Sequence, residues 1–329
     1  MNLSKEEVSR MQRTMVATRN EINKVIVGME QRITDILVAI LSNGHCLLEG
    51  VPGLGKTLLV QTLAKVLDLK YARIQFTPDL MPADITGTNI LLENSDGTRV
   101  FHFLPGPVFA NIVLADEINR TTAKTQSALL EAMQESSVTV AGRTHILEQP
   151  FFVLATQNPL ELEGTYPLPE AQLDRFFFKL TVDYPSLPEL LQIMELTTGA
   201  NLPEAQVILQ KDELLKYQNL VRLVPISSDI MDYAARLVLA TNPNSPQSTP
   251  AIKRYIKYGS SPRGAQALVL AAKARAFLDG RVNVSFNDVQ DSLLPALRHR
   301  LILNFEGEAA NIDVDKVLKE LLERIPPIN

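Results

Sequence analysis

A single cysteine, Cys46, stands in 329 residues. An internal disulfide is therefore excluded, and the apolar setting of Cys46 reads as a small buried side chain with no reactive role. No apolar run approaches the roughly 20 residues that a membrane-crossing helix needs. Met1 to Arg10 lacks the apolar core of a secretory leader, because Lys5, Glu6, Glu7 and Arg10 interrupt it. A cytoplasmic location is the expectation. Positive charge is not in excess either: 32 Lys and Arg against 37 Asp and Glu leave a net charge of −5. The whole chain has no electrostatic footprint for nucleic acid, although a local basic channel in an oligomer remains open. His45 and His102 have no companions at metal-ligand spacing. With 46% apolar and 21% charged residues, the chain has ample material for a large core, in two domains or one large and one small.

What is present begins at Gly50. Gly50, Val51, Pro52, Gly53, Leu54, Gly55, Lys56 and Thr57 fit the phosphate-binding pattern G-x-x-x-x-G-K-[ST] at every fixed position. The apolar run Cys46 to Leu48 enters this loop as a short strand. Leu58, Leu59, Leu63, Val66 and Leu67 leave it at helical spacing. Glycines let the backbone close around phosphate oxygens, and the inward N–H groups with the positive end of the helix favour the anion. The side chain of Lys56 adds a full charge at the outer phosphates, and the Thr57 hydroxyl suits Mg²⁺. A nucleoside triphosphate is thus expected over Gly50 to Leu58. The bland alternative is a glycine-rich turn.

The second half of such a site follows at Ile112 to Glu117, a buried-strand run delivering two adjacent carboxylates at its C-terminal end. Ligands of open α/β sheets gather there, so both acids should face the P-loop. Asp116 suits the Mg²⁺ shell, and Glu117 suits polarising the attacking water. Phe151 to Thr156 is another buried strand, followed by Gln157-Asn158-Pro159. The Asn158 amide can hold water or a phosphate oxygen there, or it simply forms the turn before Pro159. Ahead of both strands, Met81 to Val108 is a punctuated excursion with an Asp96-Gly97 hairpin turn, and between them Ser137 to Leu147 reads as a second hairpin about Ala141-Gly142. Met81 and Met133 read as packing residues.

Beyond Tyr184-Pro185-Ser186-Leu187-Pro188 the pattern turns helical, which divides the chain into an α/β part, 1–185, and a helical part, 186–329. Arg281 to Val284 offers a short extended piece. Arg298-His299-Arg300 reads as solvated helix surface. Ser261 is a good N-cap and Pro262 a good first residue, which puts Arg263 in the first turn, against the helix dipole. That position has a purpose if Arg263 faces a phosphate; a surface ion pair is the alternative.

The P-loop, Asp116-Glu117, the polar strand end at Asn158 and the run Glu170-Ala171-Gln172-Leu173-Asp174-Arg175-Phe176, in this order, resemble the AAA+ ATPases. More narrowly, Gly164-Thr165-Tyr166-Pro167-Leu168-Pro169 leading into that run, with Leu297-Arg298-His299-Arg300-Leu301, resembles the MoxR family over nearly the whole chain. The resemblance implies a P-loop AAA+ core with a parallel sheet flanked by helices, then a small helical lid. It implies ATP between core and lid, with Val27 and Gly28 beside the adenine. It makes Asn158 the sensor 1 residue, Arg263 the sensor 2 arginine acting in cis or in trans, and Arg175 an arginine finger for a neighbouring chain. Residues 81–108 become a helix-2 insert facing the pore of a ring, of six chains by this resemblance, and the second hairpin a pre-sensor-1 insert. The implied output is remodelling or maturation of partner proteins, often ones with a von Willebrand factor A domain. Some MoxR relatives carry Ala where this chain has Gly55. Against Arg175 as a finger stands an ion pair with Asp174 or Glu170. Two other classes compete: a nucleic-acid motor, for which the insert offers only Arg99 with Phe101, His102 and Phe103, and a monomeric GTP switch or kinase. No Asn-Lys-x-Asp sequence supports GTP, since Asn23-Lys24 continues as Val25-Ile26.

Overall fold

The computed structural model describes residues 5–93, 95, 97–159, 165–199 and 203–327. Its strands are β1 (Cys46–Glu49), β2 (Tyr71–Gln75), β3 (Gly87–Glu93), β4 (Arg99–Pro105), β5 (Ile112–Asp116), β6 (Ser137–Val140), β7 (Arg143–Ile146), β8 (Phe152–Gln157), β9 (Phe178–Thr181), β10 (Ile256–Tyr258) and β11 (Ile302–Leu303). The helices of the first half are α1 (Lys5–Asn23), α2 (Glu30–Leu41), α3 (Lys56–Val66), α4 (Pro82–Thr86), α5 (Ala123–Glu135) and α6 (Glu170–Leu173). Those of the second are α7 (Leu187–Thr198), α8 (Lys211–Leu223), α9 (Ser228–Ala240), α10 (Pro250–Tyr255), α11 (Pro262–Leu278), α12 (Phe286–Leu297), α13 (Phe305–Ala309) and α14 (Val314–Arg324).

Five strands form one parallel sheet in the order β2-β5-β8-β1-β9. The three central strands are the continuous apolar runs, as burial on both faces requires. Their side chains alternate between two cores. Cys46, Leu48, Leu114 and Leu154 face a core shared with α1 to α3 and with helices of the C-terminal half. Leu47, Val113, Ala115 and Val153 face one closed by Leu129, Leu130 and Met133 of α5. Edge strands β2 and β9 are only half buried. Because all five run parallel, their C-terminal ends, where Gly50, Asp116 and Gln157 lie, share one rim.

Both expected hairpins form. Strands β3 and β4 pair from Gly87↔Pro105 to Glu93↔Arg99; Asp96 of their turn lies outside the described residues. Ala141 and Gly142 both have positive φ, the backbone of a two-residue hairpin turn, and β6 pairs with β7 around them. His145 of β7 stacks on Phe103 of β4 at 3.8 Å between ring centres and joins the two hairpins.

The structure corrects three expectations. Arg281 to Val284 forms no strand; the extended pieces of the helical half are β10 and β11, which pair antiparallel across a sequence gap that no local pattern could bridge. Met81 is 60% exposed, whereas Met133 is buried. In the run Arg298-His299-Arg300, His299 and Arg300 are buried and Arg298 is half-buried rather than solvated, for β9, its approach and α14 supply the partners. Arg300 meets the Asp174 carboxylate at 2.8 Å and the Phe176 carbonyl at 2.7 Å, and His299 Nε2 meets the same carbonyl at 3.0 Å. Arg298 pairs with Asp315 at 2.7 Å.

Candidate nucleotide site

The loop after β1 turns through left-handed glycines, Gly53 at φ 84° and Gly55 at φ 74°. Any other residue would be strained there. The space into which a Cβ would project is open at both, so the loop is a shallow cradle rather than a packed turn. Helix α3 starts directly at Lys56, which aims its free N–H groups at the cradle. Lys56 Nζ folds back onto the Gly50 carbonyl at 2.6 Å. Burial lowers its pKa, while Asp116 and Glu117 oppose the shift.

The two acids lie on the same rim, and four side chains hold them. Thr156 donates its hydroxyl to Asp116 Oδ1 at 2.7 Å and accepts the Glu117 N–H at 2.8 Å. Arg73 binds Asp116 Oδ2 at 2.7 Å. Gln75 Nε2 donates to Glu117 Oε2 at 2.8 Å, and Arg120 reaches the same oxygen at 2.9 Å. Glu117 itself takes the left-handed backbone, φ 58° and ψ 50°, which turns its carboxylate out of the strand direction. Asn158 is buried one residue beyond β8. Sequence reasoning missed Thr156, Arg73, Gln75 and Arg120. The available signal was Arg73 and Gln75 at period-two spacing in a strand beside Asp116, with Gln75 in register with it.

Beside the cradle, Val25 to Met29, Leu54, Leu58, Tyr184, Pro185 and the α7 residues Leu190, Ile193 and Leu196 line a cleft of about 490 Å³. Val27 and Gly28 lie in this wall, and Gly28 needs its glycine for φ 74°. The cleft is mostly apolar and continuous with the P-loop, as a base-binding pocket next to a phosphate site should be.

Two residues singled out by the sequence lie elsewhere. Arg175 and Arg263 line a different cleft of about 410 Å³, with His45, Arg222 and Arg300, at the entry end of β1 and β9. Arg175 pairs with neither Asp174 nor Glu170; its Nη1 donates to the Leu130 carbonyl at 3.1 Å. Arg263 stands 3.6 Å from Asp174 and is half exposed. Ser261 caps α11 by accepting the Arg263 N–H at 3.2 Å and also donates to Asp174. The full length of β1 separates these cations from the P-loop of their own chain.

A P-loop at the exit rim of a parallel sheet, two acids on the next strand but one and a helical C-terminal half define a P-loop ATPase. Residues 45–178 match the family model for the ATPase family associated with various cellular activities (AAA), and residues 249–321 match the AAA lid domain. The chain is 44% identical to the chaperone MoxR1 of Mycobacterium tuberculosis over 94% of its own length and 81% of that protein. It is 32% identical to the protein MoxR of Paracoccus denitrificans, over 86% and 87% of the two chains. A crystal structure from Cytophaga hutchinsonii superposes with a TM-score of 0.91 at 43% identity, over 98% of both chains. The chain belongs to the MoxR family of AAA ATPases. No helix among the described residues is long and apolar enough to cross a membrane.

Proposed function

We propose that this ATPase hydrolyses ATP with Mg²⁺ at a site shared between two copies of the chain, and that the cycle drives remodelling of partner proteins. The observation that carries the reading is the division of the sheet: phosphate cradle and acids on its exit rim, Arg175 and Arg263 together at the other end. A cation needed at the γ-phosphate must then come from a neighbour, which makes turnover conditional on assembly. Arg263 belongs with Arg175 in this scheme and acts in trans.

The cradle fits a triphosphate through its open glycines, Lys56 and the start of α3, and the cleft beside Val27 and Gly28 fits the base. For Mg²⁺ the donors are hard oxygens, Thr57 and Asp116; no cluster of three or more acids, histidines or cysteines exists among the described residues, so phosphates would complete the shell. The metal would supply charge neutralisation between the outer phosphates. Glu117 holds and polarises the attacking water, Asn158 orients it, and Lys56 neutralises phosphate charge. In the division at Pro185, the 1–185 part carries the cradle and 186–329 closes the base cleft through α7. The β3–β4 hairpin exposes Phe101, Leu91, Leu104 and Val100, an apolar surface of the kind that engages protein rather than nucleic acid. A hexameric ring with these hairpins towards its centre follows the family pattern, as do partners bearing von Willebrand factor A domains.

The test is ATPase rate per chain against chain concentration, for wild type and Arg175→Ala. A rate that climbs with concentration and is lost in the variant, with ATP binding kept, is the expected outcome. A flat rate untouched by Arg175→Ala would mean that each chain works alone, and the shared site would have to be abandoned.

A further inference from the structure

One fully buried side chain lies between the two ends of the sheet and has no part in the scheme above. Gln126, on α5, is 0% exposed. Its Nε2 lies 3.1 Å from the Ile118 carbonyl, 3.3 Å from the Thr121 carbonyl and 2.9 Å from the Tyr166 carbonyl. All three neighbours can only accept, so the amide nitrogen must face them. The first two belong to the turn directly behind Glu117, whose Asn119 carbonyl also accepts the Tyr166 N–H at 2.7 Å. The third belongs to the segment that runs through the buried Leu168 into α6 and Arg175. One helical turn beyond Gln126, the Leu130 carbonyl is the acceptor of Arg175. A single helix thus grips the Glu117 turn through the Gln126 side chain and the arginine through the Leu130 carbonyl. Along this path the buried oxygens Asn119 Oδ1, Thr121 Oγ1, Gln126 Oε1 and Gln172 Oε1 have no hydrogen-bond partner among the described residues.

We propose that Gln126 is a positioning residue that couples successive sites. Its amide ties the turn behind Glu117 to the segment leading into Arg175, so the state of a chain's own nucleotide site sets the reach of the arginine that it offers to its neighbour. The inference rests on the shared-site reading.

The test uses full-length protein and the dependence of rate on ATP concentration at saturating Mg²⁺. Wild type should give a sigmoidal curve. Gln126→Met, of similar length but with no donor, should bring the Hill coefficient to about 1 and lower kcat by roughly 2- to 30-fold, the range that intermediate side chains carry, with nucleotide affinity within about twofold. A merely structural residue would lower rate and fold stability and leave the Hill coefficient alone. An unchanged Hill coefficient in Gln126→Met, or a hyperbolic wild-type curve, overturns the proposal. If Gln126→Met does not fold, Gln126→Glu, with the same shape and at most one proton to offer, is judged by the same criteria. Failure of the underlying reading is distinct: Arg175→Ala would then keep full turnover. Failure of this proposal alone leaves Arg175→Ala inactive and Gln126→Met cooperative.

Discussion

Both acids of the nucleotide site depend on one hydroxyl, which makes Thr156→Val the most informative single change. Valine keeps the shape of a side chain that is 1% exposed and removes both of its hydrogen bonds. Asp116 loses a bond to a charged group, about 1.5–3 kcal/mol, and the Glu117 N–H loses its acceptor, about 1 kcal/mol where water can reach it. Stability should therefore fall by about 3 kcal/mol. The larger effect is on catalysis. Glu117 holds φ 58°, a conformation costing a non-glycine residue about 1 kcal/mol, and the lost bond is the one that pins its backbone. Relaxation there moves the carboxylate, and a displacement of about 1 Å costs about 100-fold in rate. Turnover at saturating ATP and Mg²⁺, fluorescent-nucleotide binding and unfolding by denaturant separate these effects. Thr156→Val should bind nucleotide, unfold earlier and lose about two decades of kcat, whereas Thr156→Ser should stay within about threefold of wild type. If the valine variant unfolds earlier but turns over within about threefold of wild type, Gln75 and Arg120 suffice to place Glu117, and the argument from Thr156 is wrong.

Other changes probe the rest of the molecule. Ile193→Asp puts a carboxylate into the apolar cleft beside the P-loop and should weaken nucleotide binding by about tenfold or more, measured by titration; unchanged affinity would show that the base lies elsewhere. Asp174→Ala strips Arg300, 3% exposed, of its countercharge and should cost about 3 kcal/mol in denaturant unfolding. Adding Arg300→Met to that variant should cost little more, and full additivity would deny the pairing. His45 accepts the Val153 N–H at Nδ1 and donates from Nε2 to the Met133 carbonyl, both at 3.0 Å, and burial lowers its pKa from 6.5 to about 4. The folded state thus resists a proton that the unfolded chain accepts. The stability held by neutral His45 is complete above pH 6.5 and is lost as pH falls towards 4, about 3 kcal/mol in all. Unfolding free energies across that window should show the slope in wild type and a smaller one in His45→Gln.

Local pattern made the rim that carries the P-loop and the two acids legible. Gly50 to Thr57 and Ile112 to Glu117 are contiguous runs whose chemistry and strand periodicity sit in adjacent residues, so motif and element could be read together. The supports of the rim were not legible in the same way. Thr156, Arg73 and Gln75 meet the acids only because β5 lies between β2 and β8, an order that separates neighbours in space by up to 43 residues in sequence. Arg298-His299-Arg300 misled for the same reason: three polar residues after a helix look solvated until the approach to β9 supplies Asp174 and two carbonyls. Likewise β10 and β11 are too short to carry a period, and only their pairing makes them strands.

The separation of Arg175 from Lys56 also bears on whether one chain could hydrolyse ATP alone. Strand β1 has four residues, which at about 3.3 Å each place the two ends of the sheet about 13 Å apart. No rotamer change carries a guanidinium that far around a packed core. Arg73 and Arg120 are nearer, but each already neutralises one of the acids, at 2.7 Å and 2.9 Å. Swinging either to a phosphate would strip Asp116 or Glu117 of its partner beside an incoming polyanion, an exchange that gains one charge pair by breaking another. A cation delivered from a second chain breaks only the hydrogen bond between Arg175 and the Leu130 carbonyl. That asymmetry favours the neighbour's arginine, since Asp174 next to Arg175 is already engaged by Arg300 and Ser261 and leaves Arg175 with a neutral acceptor.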